Sequence, residues 1–155
     1  MRLTSTMFAN GGTIPIEAAH PMCGGKNVSP DLEWSDVPDG TKSFVVLCHD
    51  PDAPTGTGFY HWILFNIPGT VRKLDRGMGT AENPQGGKHG HTDWGDKQYG
   101  GPCPPPGRPH HYNFTLYALS VDKLDLDENT TGAKLRFMIR DKTLASATLT
   151  GLFGT

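Results

Sequence analysis

Phe44-Val45-Val46-Leu47-Cys48, followed at once by His49-Asp50-Pro51-Asp52-Ala53-Pro54, is the stretch on which the fold turns. A continuous apolar run stops at a polar, proline-broken turn. It is too short for a helix between those flanks and reads as a buried central strand. Phe59 to Ile67 is a second strand, ended by Pro68-Gly69. Alternation puts His61, Ile63, Phe65 and Ile67 on one face and Tyr60, Trp62, Leu64 and Asn66 on the other, both mostly apolar. His110 to Leu119 is a third, with His110, Tyr112, Phe114 and Leu116 sharing a face.

Outward from these strands the pattern loosens. Residues 1–42 are turn-rich, and residues 69–98 are a polar, glycine-rich excursion of the kind that is functional or mobile in compact domains. After Thr130, Leu135, Met138 and Ile139 recur at helical spacing. Leu144, Ala145 and Ala147 continue without Pro or Gly until Gly151, which predicts a helix. Many short strands with one late helix imply a mainly β protein, a β-sandwich with a C-terminal helix. The 155 residues suit one domain spanning 1–155. The 20 glycines and 13 prolines, spread along the chain, favour strands and turns over long helices.

Charge and targeting narrow the class. Fourteen Lys+Arg against 16 Asp+Glu give a net charge of -2, with no basic cluster to displace counterions, which argues against nucleic acid as a partner. No run approaches the roughly 18 apolar residues of a membrane span, and MRLTSTMFANGG lacks a leader pattern. Cys23, Cys48 and Cys103 are odd in number and far apart, which is no disulfide framework. These readings make the cytoplasm the expected location.

Three segments hold the chemistry. Pro51 and Pro54 bias Asp50 and Ala53 toward extended geometry, which sends Asp50 and Asp52 to one side; a rigid turn with carboxylates capping N–H groups fits equally. His61, between apolar neighbours, reads as either a satisfied core residue or a site residue. Gly100-Gly101-Pro102-Cys103-Pro104-Pro105-Pro106-Gly107-Arg108-Pro109 runs into His110-His111-Tyr112. It is not a P-loop, because it lacks Gly-Lys-Ser/Thr and no helix follows. It is a stiff structural loop, a polyproline ligand, or a nest whose few backbone N–H groups face an anion. Cys103 as a nucleophile beside His110 needs a paired base and an oxyanion hole that no sequence motif supplies. Neither His89-Gly90-His91 with Asp93 nor His49 with the two aspartates has the spacing of a known zinc site, and the former reads as a solvated loop. No cofactor motif is present.

Together, Asp50-Pro51-Asp52-Ala53-Pro54, the strand bearing His61, and Tyr99-Gly100-Gly101-Pro102-Cys103-Pro104-Pro105-Pro106-Gly107 ending at His110-His111-Tyr112 resemble the phosphatidylethanolamine-binding protein family, which includes Raf kinase inhibitor protein. The likeness is to its short bacterial and archaeal branch. Gly25-Lys26-Asn27-Val28-Ser29-Pro30 with Trp34, and Thr92-Asp93-Trp94-Gly95, extend it over almost the whole chain. The resemblance implies a large central sheet packed on a smaller one, with a C-terminal helix. It also implies a near-surface pocket for phosphate, a phosphorylated headgroup or another small anion, formed by Asp50, Asp52, His61, His110 and Tyr112, with Gly101 or Cys103 giving a main-chain contact. A homodimer, and modulation of a partner such as a kinase, are further implications; no residue identifies a kinase. Two departures bear on the pocket lid: Phe153 stands where the family commonly has a tyrosine, and Asp141-Lys142 where the branch often has Gly-His.

Such a pocket sets an anion beside two carboxylates. Carboxylates that hold His61 and His110 protonated would let both rings donate to the anion, with the Tyr112 hydroxyl and a backbone N–H completing the site. With no activated nucleophile or metal ligand set in the motifs, binding is expected before turnover. The alternatives are a hydrolase or isomerase using the Asp–His cluster, and a protein-interaction module in which the anion is incidental.

Overall fold

The Phe44–Cys48 run lies inside β3 (Ser43–Asp50), the middle strand of a five-stranded antiparallel sheet in the computed structural model, which describes residues 1–155. Its neighbours are β4 (Phe59–Pro68) and β7 (His110–Leu119). A smaller antiparallel sheet is built from β1 (Arg2–Thr4), β2 (Leu32–Ser35) and β5 (Lys73–Leu74), in the order β1-β2-β5. The two sheets share one core, in which Leu3, Trp34 and Leu74 meet Phe44, Trp62 and Phe114. Full burial of a side chain of that size contributes roughly 1.5–3 kcal/mol. This is the sandwich the strand pattern predicts.

The outer face of the large sheet is buried too, which is why β3 reads as apolar on both sides. Val45, Leu47, Ile63 and Phe65 lie beneath Leu124, Leu135 and Ile139. The last two belong to α1 (Gly132–Ile139), capped by the Thr131 hydroxyl, which accepts the Lys134 N–H. A Cβ at Gly132 would collide with the Tyr60 ring, so the helix start lies directly on β4.

The predicted helix is therefore half right. Residues 143–153 form β8 (Thr143–Phe153), which pairs with β7 from Leu119↔Thr143 to His110↔Phe153. Thr143-Leu144-Ala145-Ser146-Ala147-Thr148-Leu149-Thr150 alternates in exposure along the strand, and pairing covers what would otherwise be an open β7 edge. The 69–98 excursion also does more than expected. It supplies β5 to the small sheet and β6 (Lys88–His89) to the outer edge of β4. His89, expected in a solvated loop, is buried, and its Nε2 lies 2.9 Å from the Ala81 carbonyl.

Simple alternation along β4 also fails. The register passes from Cys48↔Trp62 to His49↔Tyr60, so His61 is the extra residue of a bulge; a second irregularity lies near Asn66, at φ 58°. Bulges re-aim side chains. Tyr60 and Ile63 pack on the outer face, Trp62 and Leu64 on the inner, and His61 turns inward toward Tyr112.

Candidate functional site: a cavity at the end of the central strands

In the antiparallel order β4-β3-β7, the end of β3 and the starts of β4 and β7 lie side by side. That juxtaposition brings Asp50, His61, His110 and Tyr112 around one cavity of about 180 Å3. Its walls are completed by Pro54, Phe59, Trp94, Cys103 and Pro104.

Asp50 is 3 % exposed, and both its oxygens are engaged. Oδ1 accepts the Asp52 backbone N–H at 2.8 Å and Oδ2 lies 2.7 Å from His110 Nδ1. The Pro51 turn makes the first bond and the β3–β7 pairing the second. Both carboxylate oxygens are thus turned to donors of the chain itself, and neither is left free to face the cavity without a partner. The Asp50 contact orients His110 with Nδ1 as the donor and leaves its Nε2 uncommitted.

His61 departs from the expectation of a protonated ring. It is 3 % exposed, and its Nδ1 lies 2.7 Å from the Gly100 carbonyl, while the Gly100 N–H returns a bond to the His61 carbonyl. The short contact assigns the proton to Nδ1; the Trp94 indole, 3.3 Å away, is a weaker neighbour. Burial pulls the ring's pKa down to about 4, against weaker opposing effects of the Gly100 carbonyl and Asp50. At neutral pH His61 Nε2 is therefore an acceptor, not a donor.

The Tyr112 hydroxyl is buried with no partner at hydrogen-bonding geometry, although Asp50 is close enough to raise its pKa further, above the increase that burial imposes. An unpaired buried hydroxyl costs roughly 1–3 kcal/mol. It is the one unpaired buried side-chain group that lines this cavity.

The other expected residues sit differently. Asp52 Oδ2 takes the His111 backbone N–H and contacts His111 Nδ1, both at 2.7 Å, so its carboxylate faces outward and does not line the cavity. The His111 N–H bond is the main reason its pKa is lowered. Gly101 cannot give the main-chain contact, because its N–H is donated to Asn27 Oδ1 at 2.7 Å and the residue packs on the Ala18 carbonyl, which a Cβ would strike. Cys103 does line the cavity, and its N–H has no partner within the chain. Its sulfur is bonded to Cys23, 80 residues away. The chain thus carries one disulfide and one free, buried thiol, Cys48, where no disulfide was expected. Disulfides persist in oxidising compartments, so the cysteines no longer argue for the cytoplasm.

His49 turns away from the cavity, with Nε2 2.9 Å from the Thr57 carbonyl. The expected lid residues are absent from the walls as well. Phe153 is a core residue paired with His110, and Asp141 and Lys142 contact each other beyond α1. The aromatic cover comes instead from Phe59 and Trp94, which meet edge to face at 5.3 Å, with His20 stacked on Trp94 at 4.0 Å. Trp94 is a site residue that the sequence pattern does not single out. Nothing local in Thr92-Asp93-Trp94-Gly95 aims it, and its placement needs the Asp93 carboxylate to accept the Tyr60 N–H.

The family model for phosphatidylethanolamine-binding protein matches residues 4–154. The chain belongs to this family. It is 43% identical to YbhB of Escherichia coli over 157 residues, covering 99% of both chains. It is 44% identical to E. coli YbcL over 135 residues, covering 84% of this chain and 74% of YbcL. The crystal structure of E. coli YbcL superposes with a TM-score of 0.95 at 39% identity, covering 99% of this chain and 98% of that one. The family's sheet arrangement is thus the one described above. A relative in Mycobacterium tuberculosis, LppC, 37% identical over 99% of this chain and 70% of its own length, is named as a lipoprotein. No helix of the present chain is long and apolar enough to cross a membrane.

Proposed function

We propose that this chain binds a small oxyanion, inorganic phosphate or a phosphorylated headgroup, in the cavity between Asp50, His61, His110 and Tyr112. The carrying observation is the Tyr112 hydroxyl, buried and unpartnered on the cavity wall. A ligand oxygen accepting from it recovers the free energy lost by its isolation. His110 Nε2 has no partner either, and Cys103, whose N–H makes no hydrogen bond within the chain, also lines the cavity. The family's name supports the phosphorylated class.

His61 adds a selection rule. Its free nitrogen accepts, so the best ligand is an oxyanion that still carries a proton. A phosphate monoester, with a second pKa of about 6, supplies one near neutral pH. Where the ligand is fully ionised, the ring itself must take up the proton. Above the ligand pKa either route makes complex formation take up a proton, so affinity falls as pH rises there. The test is calorimetric titration of inorganic phosphate between pH 6 and pH 9. Affinity is expected to weaken by up to about tenfold per pH unit above the ligand pKa. An affinity independent of pH overturns the role of His61, and no binding in wild type overturns the assignment. Asp50→Asn serves as the control that loosens His110.

A further inference from the structure

The cavity is too small to hold a whole metabolite. Pockets for small molecules usually run to roughly 300–1,000 Å3, and this one is about 180 Å3. A second hollow of about 440 Å3 opens against it, and the two share Pro54, Pro105 and His110 as a common rim. A ligand anchored beside His61 therefore grows over His110 into this outer hollow.

The lining of the hollow says what the growing part must be. Its walls include Pro54, Pro105, Pro106 and Pro109, which have no N–H to donate and hold the backbone stiff. Recognition of a polar group falls to side chains. The acid present, Asp52, is already engaged by two contacts from His111. Arg108 stands at the hollow with no ion pair and no hydrogen bond. A guanidinium offers a planar fork of N–H groups that matches phosphate or carboxylate oxygens in pairs. Arg108 is the one lysine or arginine that lines either hollow, so it is the fixed positive charge a ligand spanning the two would meet.

Building on the oxyanion reading of the cavity, we infer that the ligand carries two anionic groups in tandem, one beside His61 and Tyr112 and the second held outside by Arg108. Organic diphosphates, and phosphate esters with a carboxylate two or three bonds further out, belong to this class. A phosphoethanolamine headgroup, whose second charge is positive, does not.

Three probes test this by calorimetry at constant pH and ionic strength: inorganic phosphate, inorganic diphosphate and phosphoethanolamine. Diphosphate is expected to bind about tenfold more tightly than phosphate, and phosphoethanolamine no more tightly than phosphate. In Arg108→Gln, a change at an exposed and unpaired position that leaves the core untouched, the ratio of diphosphate to phosphate affinity is expected to fall to near one. Added salt should shrink the same ratio in wild type, because the outer contact is solvent-exposed. Diphosphate binding no tighter than phosphate, an advantage that survives Arg108→Gln, or phosphoethanolamine outbinding diphosphate would each overturn the inference while leaving the cavity reading intact. Failure of both phosphate and diphosphate to bind removes the cavity reading and the inference with it.

Discussion

Acid should weaken this fold through His61, by an amount the structure allows to be worked out. The ring is buried neutral, with Nδ1 donating to Gly100, and its pKa stands at about 4 against an ordinary 6.5. A lowered histidine pKa means that the unfolded chain binds the proton more readily than the folded one. The stability tied to the neutral ring is thus whole above pH 6.5 and is lost as pH falls toward 4. The two pKa values give a loss of about 1 kcal/mol by pH 6, about 2 by pH 5 and about 3 by pH 4. His61→Gln keeps a donor for the Gly100 carbonyl and cannot titrate. Urea unfolding of wild type and His61→Gln at each pH, in chloride without phosphate, isolates the effect in the difference between them. His89, whose pKa is also lowered by burial, is common to both proteins and cancels. The gap between the two is expected to shift in favour of the variant by about 3 kcal/mol from pH 7 to pH 4. A gap that stays constant would mean that the ring takes up its proton without cost in the folded protein, and the acceptor role assigned to Nε2 would fall with it.

Breaking the Cys23–Cys103 bond by Cys23→Ser should lower the unfolding free energy in urea by about 2–4 kcal/mol, since the bond closes a loop spanning 80 residues; reducing the wild type should cost the same, and an unchanged midpoint would refute the cross-link. Tyr112→Phe should raise stability by about 1 kcal/mol, because it deletes a buried hydroxyl without a partner. The same variant should bind phosphate about tenfold more weakly, so loss of stability with unchanged affinity would show the hydroxyl to be a satisfied core group.

Strand content was legible because β3, β4 and β7 have unbroken apolar patterns and clear turn signals at their ends. The register was not. His61 leaves its expected alternation through a bulge that depends on how β4 pairs with β3, and no residue within β4 announces it. The helix expected between Thr130 and Gly151 runs only as far as Ile139, for a related reason. Leu144, Ala145 and Ala147 satisfy helical spacing, but the open edge of β7 offers ten residues of pairing, and that tertiary gain outweighs local propensity. Cysteine arithmetic failed because three cysteines far apart in sequence say nothing of the 5.5 Å between the Cα atoms of two of them.

In the site, residue types were easier to read than their roles. Two aspartates and three histidines crowd the two motifs, yet the fold sorts them into pairs of different purpose. Asp52 and His111 hold each other at the rim, and Asp50 holds His110 at the cavity. Each carboxylate is thereby occupied before any ligand arrives. What the fold leaves unpaired is a different set: the Tyr112 hydroxyl, His61 Nε2 and His110 Nε2 inside, and Arg108 outside. A core normally spends its polar groups on one another, and a group held buried without a partner weakens it. Of the buried side-chain groups without a partner, only the Tyr112 hydroxyl lines this cavity, Trp62 Nε1, His89 Nδ1 and Thr92 Oγ1 lying elsewhere, while the acid beside it is already hydrogen-bonded. On the oxyanion reading that division suits a ligand bringing negative charge and one proton, and Asp50, which holds His110 through Nδ1, leaves Nε2 as the atom that meets it.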